Sequence, residues 1–133
     1  MQQSCEQLGL SERTRVLDSR AEALARDRTY RDSFAFANDR SVGALALVIE
    51  LALPFLKIGV VLFAQKSQKQ ADEEIQSARK IVTELGGTIR DVVVPNAVAV
   101  GKAVAVIEVA KVTPTPAKFP RPTAQLQKSK KRP

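Results

Sequence analysis

The apolar run VGALALVIELALPFLKIGVVLFA, from Val42 to Ala64, constrains the fold more than any other part of the chain. Because Glu50 and Lys57 are its only charged residues, a membrane span is one alternative. A globular interpretation has more in its favour. Pro54 and Gly59 suit a helix that ends near Lys57 and then turns, and Glu50 would cost about 2–3 kcal/mol inside a bilayer. The run also ends in β-branched and aromatic residues directly before polar QKSQKQ. It therefore predicts a helix, a turn and a buried strand, without a membrane span.

The clearest helix follows, over residues 71–85. Apolar side chains recur there every three or four positions and form one stripe, and three acidic residues occupy the first turn. Gly86 and Gly87 are typical of a helix end. Two strands are predicted after them, Thr88–Val94 and Ala103–Val112, joined by a linker long enough for a loose hairpin.

The amino-terminal third reads less clearly. Residues 2–9 predict the last turns of a helix, and Arg15–Asp18 predict a short strand. A helix is expected from Ala21 to about Phe34, broken near Thr29, and Phe34–Asn38 is a weak strand candidate. Strands that alternate with helices in this way predict an α/β sheet, and the last two strands predict an antiparallel pair.

The positive charge is concentrated at the carboxyl end. The chain has a net charge of +7, and residues 111–133 hold seven Lys and Arg residues and no acid. We therefore divide the chain into a body, residues 1–112, and a basic, proline-containing tail, residues 113–133, which we expect to be disordered. Such a tail suits a polyanion such as RNA, although a merely solubilising end is the alternative.

Several chemistries are disfavoured by composition. The chain has no histidine and one cysteine, so neither a metal site nor an internal disulfide is expected. No GxGxxG or Walker loop is present. Met1 is followed by polar residues rather than a signal peptide, and a cytoplasmic location is expected.

The segment DSRAE, residues 18–22, has two interpretations. Ser19 and Glu22 have the spacing of a helix capping box. Glu22 also lies just beyond a predicted strand, where nucleotide-type cofactors often meet a carboxylate. The residues alone leave both roles open.

Three separated blocks resemble one family. They are SRAEALARDRTYRDSFAFANDRSVGALALVIELALPFLKIG, LFAQKSQKQADEEIQSARKIVTELGGTI and KVTPTPAKFPRP. In this order they resemble the second half of the bacterial 16S rRNA guanine-N(7)-methyltransferases, the glucose-inhibited division protein B family. The resemblance runs from about Cys5 to Pro122 and implies a member truncated at its amino end. It implies a partial class I, Rossmann-like methyltransferase sheet that lacks its first two strands.

The resemblance also implies a cofactor and its contacts. S-adenosylmethionine is the expected cofactor, with Ala21 and Glu22 beside the adenine and Arg40 bordering the cofactor. The family's Ala-Arg-Ala-Val signature reads Asp39-Arg40-Ser41-Val42 here. No catalytic base is expected, because guanine N7 carries a lone pair and no proton. Since the family's Gly-rich cofactor loop has no counterpart in this chain, we expect weak or no activity from the chain alone.

The implied partner is 16S rRNA or the small ribosomal subunit. Lys66, after the VLFAQ strand, matches a family lysine and is a candidate contact to RNA phosphate, against the alternative of a solvated lysine. The tail offers further candidates, which are Lys118, Arg121, Lys130 and Lys131. A non-catalytic RNA-binding remnant that uses this tail is the alternative function.

Overall fold

In a computed structural model, four strands and five α-helices are described over residues 1–40, 42–95 and 103–129, without the side chains of residues 127–129. A 3-10 turn, Leu53–Phe55, separates the third helix from the second strand. The elements in chain order are α1 (Gln2–Gln7), α2 (Ala21–Leu24), β1 (Phe34–Arg40), α3 (Leu45–Ala52), β2 (Leu56–Ser67), α4 (Gln68–Glu84), β3 (Gly87–Val93), β4 (Val104–Lys111) and α5 (Thr123–Ser129).

The strands form one sheet in the order β1-β2-β4-β3. β1 and β2 run parallel, with Phe36 opposite Val61 and Arg40 opposite Gln65. β4 is antiparallel to both of its neighbours, β2 and β3. The predicted α/β class and the predicted antiparallel pair at the carboxyl end are therefore confirmed. One edge of β1 has no neighbour among the described strands.

The core lies between the sheet and the helices α3 and α4. Each helix turns one stripe of apolar residues inward, because side chains three or four positions apart share a face. The strands contribute alternate residues to the same core. The buried core residues include Leu45, Val48 and Ile49 of α3, Ala71, Ala78 and Val82 of α4, and Leu62, Ala64, Ile107 and Val109 of the sheet.

The long apolar run forms α3, the 3-10 turn and most of β2, as predicted. The helix ends at Ala52 rather than near Lys57, because Pro54 has no N–H for a further helical hydrogen bond. Within the described residues, no helix combines the length and the apolar character that crossing a bilayer requires.

Two amino-terminal predictions are wrong. Arg15–Asp18 is irregular backbone rather than a strand. None of the four described strands lies beside it to supply hydrogen-bond partners for its backbone. The helix expected from Ala21 to Phe34 ends at Leu24. Local hydrogen bonds replace it, since Asp27 accepts from the Thr29 amide at 2.8 Å and Arg31 donates to the Ala25 carbonyl at 3.1 Å.

The first part of the segment after β4 packs on the body, which differs from the expectation of disorder for residues 113–126; residues 130–133 lie outside the described residues. Residues 113–123, here called the carboxyl strap, pack against the body, and Phe119 is only 3% exposed. The Thr115 hydroxyl donates to the Leu85 carbonyl at 2.8 Å. Arg31 donates to the carbonyls of Thr115 and Phe119, at 2.8 and 3.0 Å. The strap leads into α5. A domain boundary at residue 112 remains a prediction.

Candidate functional site

The carboxyl ends of β1 and β2 meet at one edge of the sheet, because the two strands are parallel. In open α/β sheets this is the edge at which ligands bind. Two cavities open beside it. One is a polar cleft of about 920 Å³ that includes Arg40, Lys66 and Lys69. The other is an apolar cavity of about 310 Å³ along β1.

The apolar cavity contains one of the predicted cofactor contacts. Ala21 lines it together with Phe34, Phe36 and Val42. Phe34 also meets Phe55 edge to face, with ring centroids 5.9 Å apart. An aromatic and aliphatic lining of this kind suits a flat, largely apolar ring, and the volume lies at the lower end of the range for ligand pockets.

Glu22 is buried but does not cap its own helix. Arg20 is the N-cap residue of α2, and no side chain caps the helix. The Glu22 carboxylate instead accepts hydrogen bonds from the Thr123 hydroxyl at 2.7 Å and from the Arg20 guanidinium at 3.0 Å, both on Oε1. Burial favours the protonated form, but these hydrogen bonds outweigh it and hold the pKa of Glu22 below its ordinary value. The capping-box interpretation is therefore wrong.

Arg40 lies at the other cavity. It is the last residue of β1, its side chain is exposed, and it lines the polar cleft. Its neighbour Asp39 lines the apolar cavity that contains Ala21. Ala21 and Arg40 thus line two different cavities rather than one. Cofactor contact by Ala21, Glu22 and Arg40 remains a prediction.

Lys66 is 8% exposed and lies among protein groups, which disfavours the alternative of a solvated lysine; its contact with RNA phosphate stays a prediction. Its ammonium donates to the Gly43 carbonyl and lies 3.9 Å from Asp39 Oδ2 and 3.8 Å from Glu74 Oε2. Glu74 also accepts the first amide of α3, from Leu45, at 2.6 Å. Lys66 therefore joins β2 to β1, to α4 and to the residue Gly43 before α3, and two carboxylates lie within 4 Å of its charge.

Arg121 is likewise committed to the protein. Its side chain and its backbone N–H all donate to Glu50, a residue of α3 that is 1% exposed. The hydrogen bonds that the Arg121 guanidinium donates to Glu50 raise the pKa of Arg121. Lys118 is exposed and lies over the Phe119 ring, 5.1 Å from its centroid, which leaves it available to a phosphate. Lys130 and Lys131 lie outside the described residues.

Comparisons with known proteins identify relatives of this chain. No family model matches the sequence. A ribosomal RNA small subunit methyltransferase G from Desulfitobacterium hafniense is 37% identical over 109 residues, which are 82% of this chain and 45% of that protein. The chain is related to the ribosomal RNA small subunit methyltransferases G.

Other ribosomal RNA small subunit methyltransferases G are similar to the chain to about the same degree. The one from Deinococcus radiodurans is 37% identical over 121 residues, 91% of this chain and 47% of that protein. The one from Caldicellulosiruptor bescii is 34% identical over 131 residues, 96% of this chain and 53% of that protein. The chain spans about half the length of the curated relatives it matches. The family resemblance drawn from the residues is confirmed.

One solved structure is also similar, an arsenic (III) S-adenosylmethionine methyltransferase from Chlamydomonas reinhardtii. It covers 72% of this chain and 43% of its own length at 14% identity and a TM-score of 0.39, which is too slight a likeness to support an argument.

Asp39 is a residue whose position sequence reasoning did not foresee. It stands where the methyltransferase G resemblance expects alanine, and it is 7% exposed. Neither of its carboxylate oxygens has a hydrogen bond of ordinary geometry among the described residues, although the Val42 amide lies close enough to act on it weakly. Burial raises the pKa of Asp39, and the pull of the Lys66 ammonium offsets this only in part.

Glu50 and Arg31 were also missed. The sequence showed Glu50 only as a charge within an apolar run, and that isolation was the available signal, because a buried carboxylate requires a partner. Arg31 gave no comparable signal. The carbonyls to which it donates in the strap lie more than eighty positions later, at Thr115, Pro116 and Phe119.

Proposed function

We propose that this chain forms the adenine-facing and RNA-facing part of an S-adenosylmethionine-dependent 16S rRNA guanine-N(7)-methyltransferase. The observation that carries the proposal is the match to ribosomal RNA small subunit methyltransferases G over 82–96% of the chain. The ligand-binding edge of a mixed α/β sheet, with an apolar cavity beside it, supports the proposal. A cytoplasmic location follows from the same proposal.

The residues present fit one portion of the cofactor. The apolar cavity lined by Ala21, Phe34 and Phe36 suits an adenine ring. The Glu22 carboxylate is engaged by Thr123 and Arg20, so at this position we assign the cofactor contact to the main chain of α2. The small cavity volume provides for the ring rather than for the whole cofactor.

The proposed chemistry needs no proton acceptor. Bound S-adenosylmethionine supplies a methyl group on a positively charged sulfur. Transfer to guanine N7 would use the lone pair of that nitrogen, break the bond between the methyl carbon and sulfur, and release the neutral thioether. No proton would be lost, so a chain without histidine is suited to the reaction. What the side chains must provide is orientation and electrostatic complementarity. Lys118 and the basic residues beyond Leu126 are the candidates for holding RNA phosphates.

The test is methyl transfer from labelled S-adenosylmethionine to small ribosomal subunits that lack the modification. The chain is assayed alone and mixed with a separately expressed polypeptide comprising the half of the Desulfitobacterium hafniense relative that this chain does not match. We expect little transfer alone and a clear increase on mixing. RNA binding without cofactor binding or methyl transfer in either case would instead favour the alternative, a non-catalytic RNA-binding protein.

A further inference from the structure

Glu22 connects two segments that are far apart in the sequence. Its Oε1 atom accepts the Thr123 hydroxyl at 2.7 Å, across 101 positions of the chain. Glu22 is 7% exposed, whereas the side chain of its second donor, Arg20, is 67% exposed. Because a buried hydrogen bond to a charged acceptor is worth more than a solvated one, Thr123 is the principal partner of this carboxylate.

The same two segments are joined at further points. Arg26 donates to the Pro120 carbonyl at 2.7 Å, and Arg31 donates to the Thr115 carbonyl at 2.8 Å. From the other side, Glu50 of α3 accepts the Arg121 backbone N–H at 2.8 Å. The carboxyl strap is therefore clamped between residues 20–31 and α3. The clamp adds to the direct packing of α2 against α3 in holding α2 on the body.

We propose that Glu22 is a positioning residue that couples RNA binding at the carboxyl end to the cofactor-facing side of α2. This inference rests on the proposed function. The main chain of Glu22 follows Ala21, which lines the apolar cavity, while its side chain holds Thr123, the first residue of α5. In the sequence, Lys128 belongs to α5, and Lys130 and Lys131 follow it. RNA held by these cations therefore restrains α5 and, through Thr123, restrains α2; by linkage a ligand on α2 strengthens RNA binding.

The test follows hydrogen exchange of the α2 amides with and without a 16S rRNA fragment. The amides of Ala23, Leu24 and Ala25 are suited to it, since they donate to the carbonyls of Arg20 and Ala21 within α2. The variants are Thr123→Val, which removes the hydroxyl at nearly constant volume, and the control Thr123→Ser, which keeps it. Thermal melts followed by circular dichroism check that each variant is folded.

We expect RNA to slow exchange at these amides several-fold in the wild type and in Thr123→Ser, but not in Thr123→Val. Equal slowing in both variants overturns the coupling, as does RNA binding that leaves α2 unchanged, or no RNA binding at all. If Thr123→Val fails to fold, Glu22→Gln serves instead. The amide introduced by Glu22→Gln is an uncharged acceptor and weakens the hydrogen bond from Thr123. We therefore expect RNA to slow exchange in Glu22→Gln less than in the wild type. Slowing equal to that of the wild type would count against the proposal.

Methyl transfer, measured on the same preparations, separates this inference from the proposed function. Methyl transfer without any change in hydrogen exchange at α2 would contradict the coupling but support the proposed function. A change in hydrogen exchange at α2 that depends on Thr123, without cofactor binding or methyl transfer, would contradict the proposed function but support the link between the carboxyl end and α2.

Discussion

Arg121 and Glu50 form a bidentate ion pair that fixes the carboxyl strap to α3. The Arg121 Nη2 atom lies 2.6 Å from Glu50 Oε2, and Nε lies 2.9 Å from Oε1. Glu50 is 1% exposed, so its charge has little access to water. Among the described residues, loss of the guanidinium would leave the buried carboxylate with only the backbone N–H of residue 121 as a hydrogen-bond donor.

We therefore expect Arg121→Met to lower the free energy of unfolding by about 2–3 kcal/mol. Arg121→Lys keeps the charge and loses the fork-shaped geometry, and its loss should be clearly smaller. Urea unfolding of both variants measures the difference. Equal losses would mean that the bidentate geometry contributes nothing to stability.

The elements that the sequence predicts well are those whose signals are local. The apolar stripe of α4 and the glycine pair that ends it lie within one short window, and the structure places both as expected. The strap is different, because its partners Glu22, Arg31 and Glu50 lie 71–101 positions away. No local pattern distinguishes a proline-containing segment that will be clamped from one that stays free, and composition alone favoured disorder.

In the candidate site, too, local sequence signals and long-range contacts differ in how well they can be predicted. The family resemblance placed Ala21 directly after a strand and Arg40 beside the same cofactor. Residues 15–18 form no strand, Ala21 and Arg40 line different cavities, and their contact with a cofactor stays a prediction. Whether a side chain is free or ion-paired depends instead on residues that are distant in the sequence. Lys66 and Arg121 read as free cations because the carboxylates that engage them, Asp39, Glu74 and Glu50, belong to other elements.

Asp39→Asn should stabilise the protein at neutral pH. The folded state raises the pKa of Asp39 mainly through burial, so the ionised form that prevails at pH 7 weakens folding. Removing the charge should raise the free energy of unfolding by about 1 kcal/mol. As the pH falls through the raised pKa, the wild-type carboxyl becomes protonated in the folded state first, and the advantage of the variant should disappear. Thermal melts from pH 7 down to pH 4 measure this trend, and an advantage that grows in acid would contradict it.

Acid should release the strap from α2 before the core unfolds. The pKa of Glu22 is lowered in the folded state from an ordinary value of 4.5. The stabilisation from its hydrogen bonds is therefore fully present above pH 4.5 and is lost as the pH falls through the lower, folded pKa. Exchange rates are divided by the intrinsic rate at each pH to give protection factors. The protection factors of the hydrogen-bonded amides of Arg121, Gln125 and Leu126 should fall in this range, and Glu22→Gln should abolish that fall. Unchanged protection in acid would count against the role of the carboxylate.

Lys66 and Lys118 should differ in their effect on RNA affinity. Lys118→Ala should reduce the slope of log affinity against log salt by about one, because an exposed ammonium that contacts a phosphate displaces a counterion. Lys66→Met should leave that slope unchanged and instead lower the free energy of unfolding by about 2–3 kcal/mol, since it leaves Asp39 and Glu74 without their shared cation. Salt titrations of binding to a 16S rRNA fragment distinguish them. A reduced slope for Lys66→Met would support Lys66 as an RNA contact.

Gly86 should be the least replaceable of the glycines at turns. Its φ of 79° favours glycine, and a Cβ at this position would lie 2.5 Å from the Thr113 carbonyl oxygen. The Gly86 carbonyl also accepts the amides of Val112 and Thr113, at 2.8 and 3.0 Å, which starts the strap. Gly86→Ala must therefore displace backbone as well as strain it.

Gly59→Ala is the matched control for that substitution. Gly59 has a similar φ of 89°, but a Cβ there meets no atom within 4 Å. Gly59→Ala should lower the free energy of unfolding by about 1–2 kcal/mol, through backbone strain alone. Gly86→Ala should cost about 2 kcal/mol more, the scale of a steric clash in a packed region. Chemical unfolding of the two variants gives the comparison, and equal costs would show that the contact with Thr113 relaxes freely and that only the left-handed backbone conformation matters.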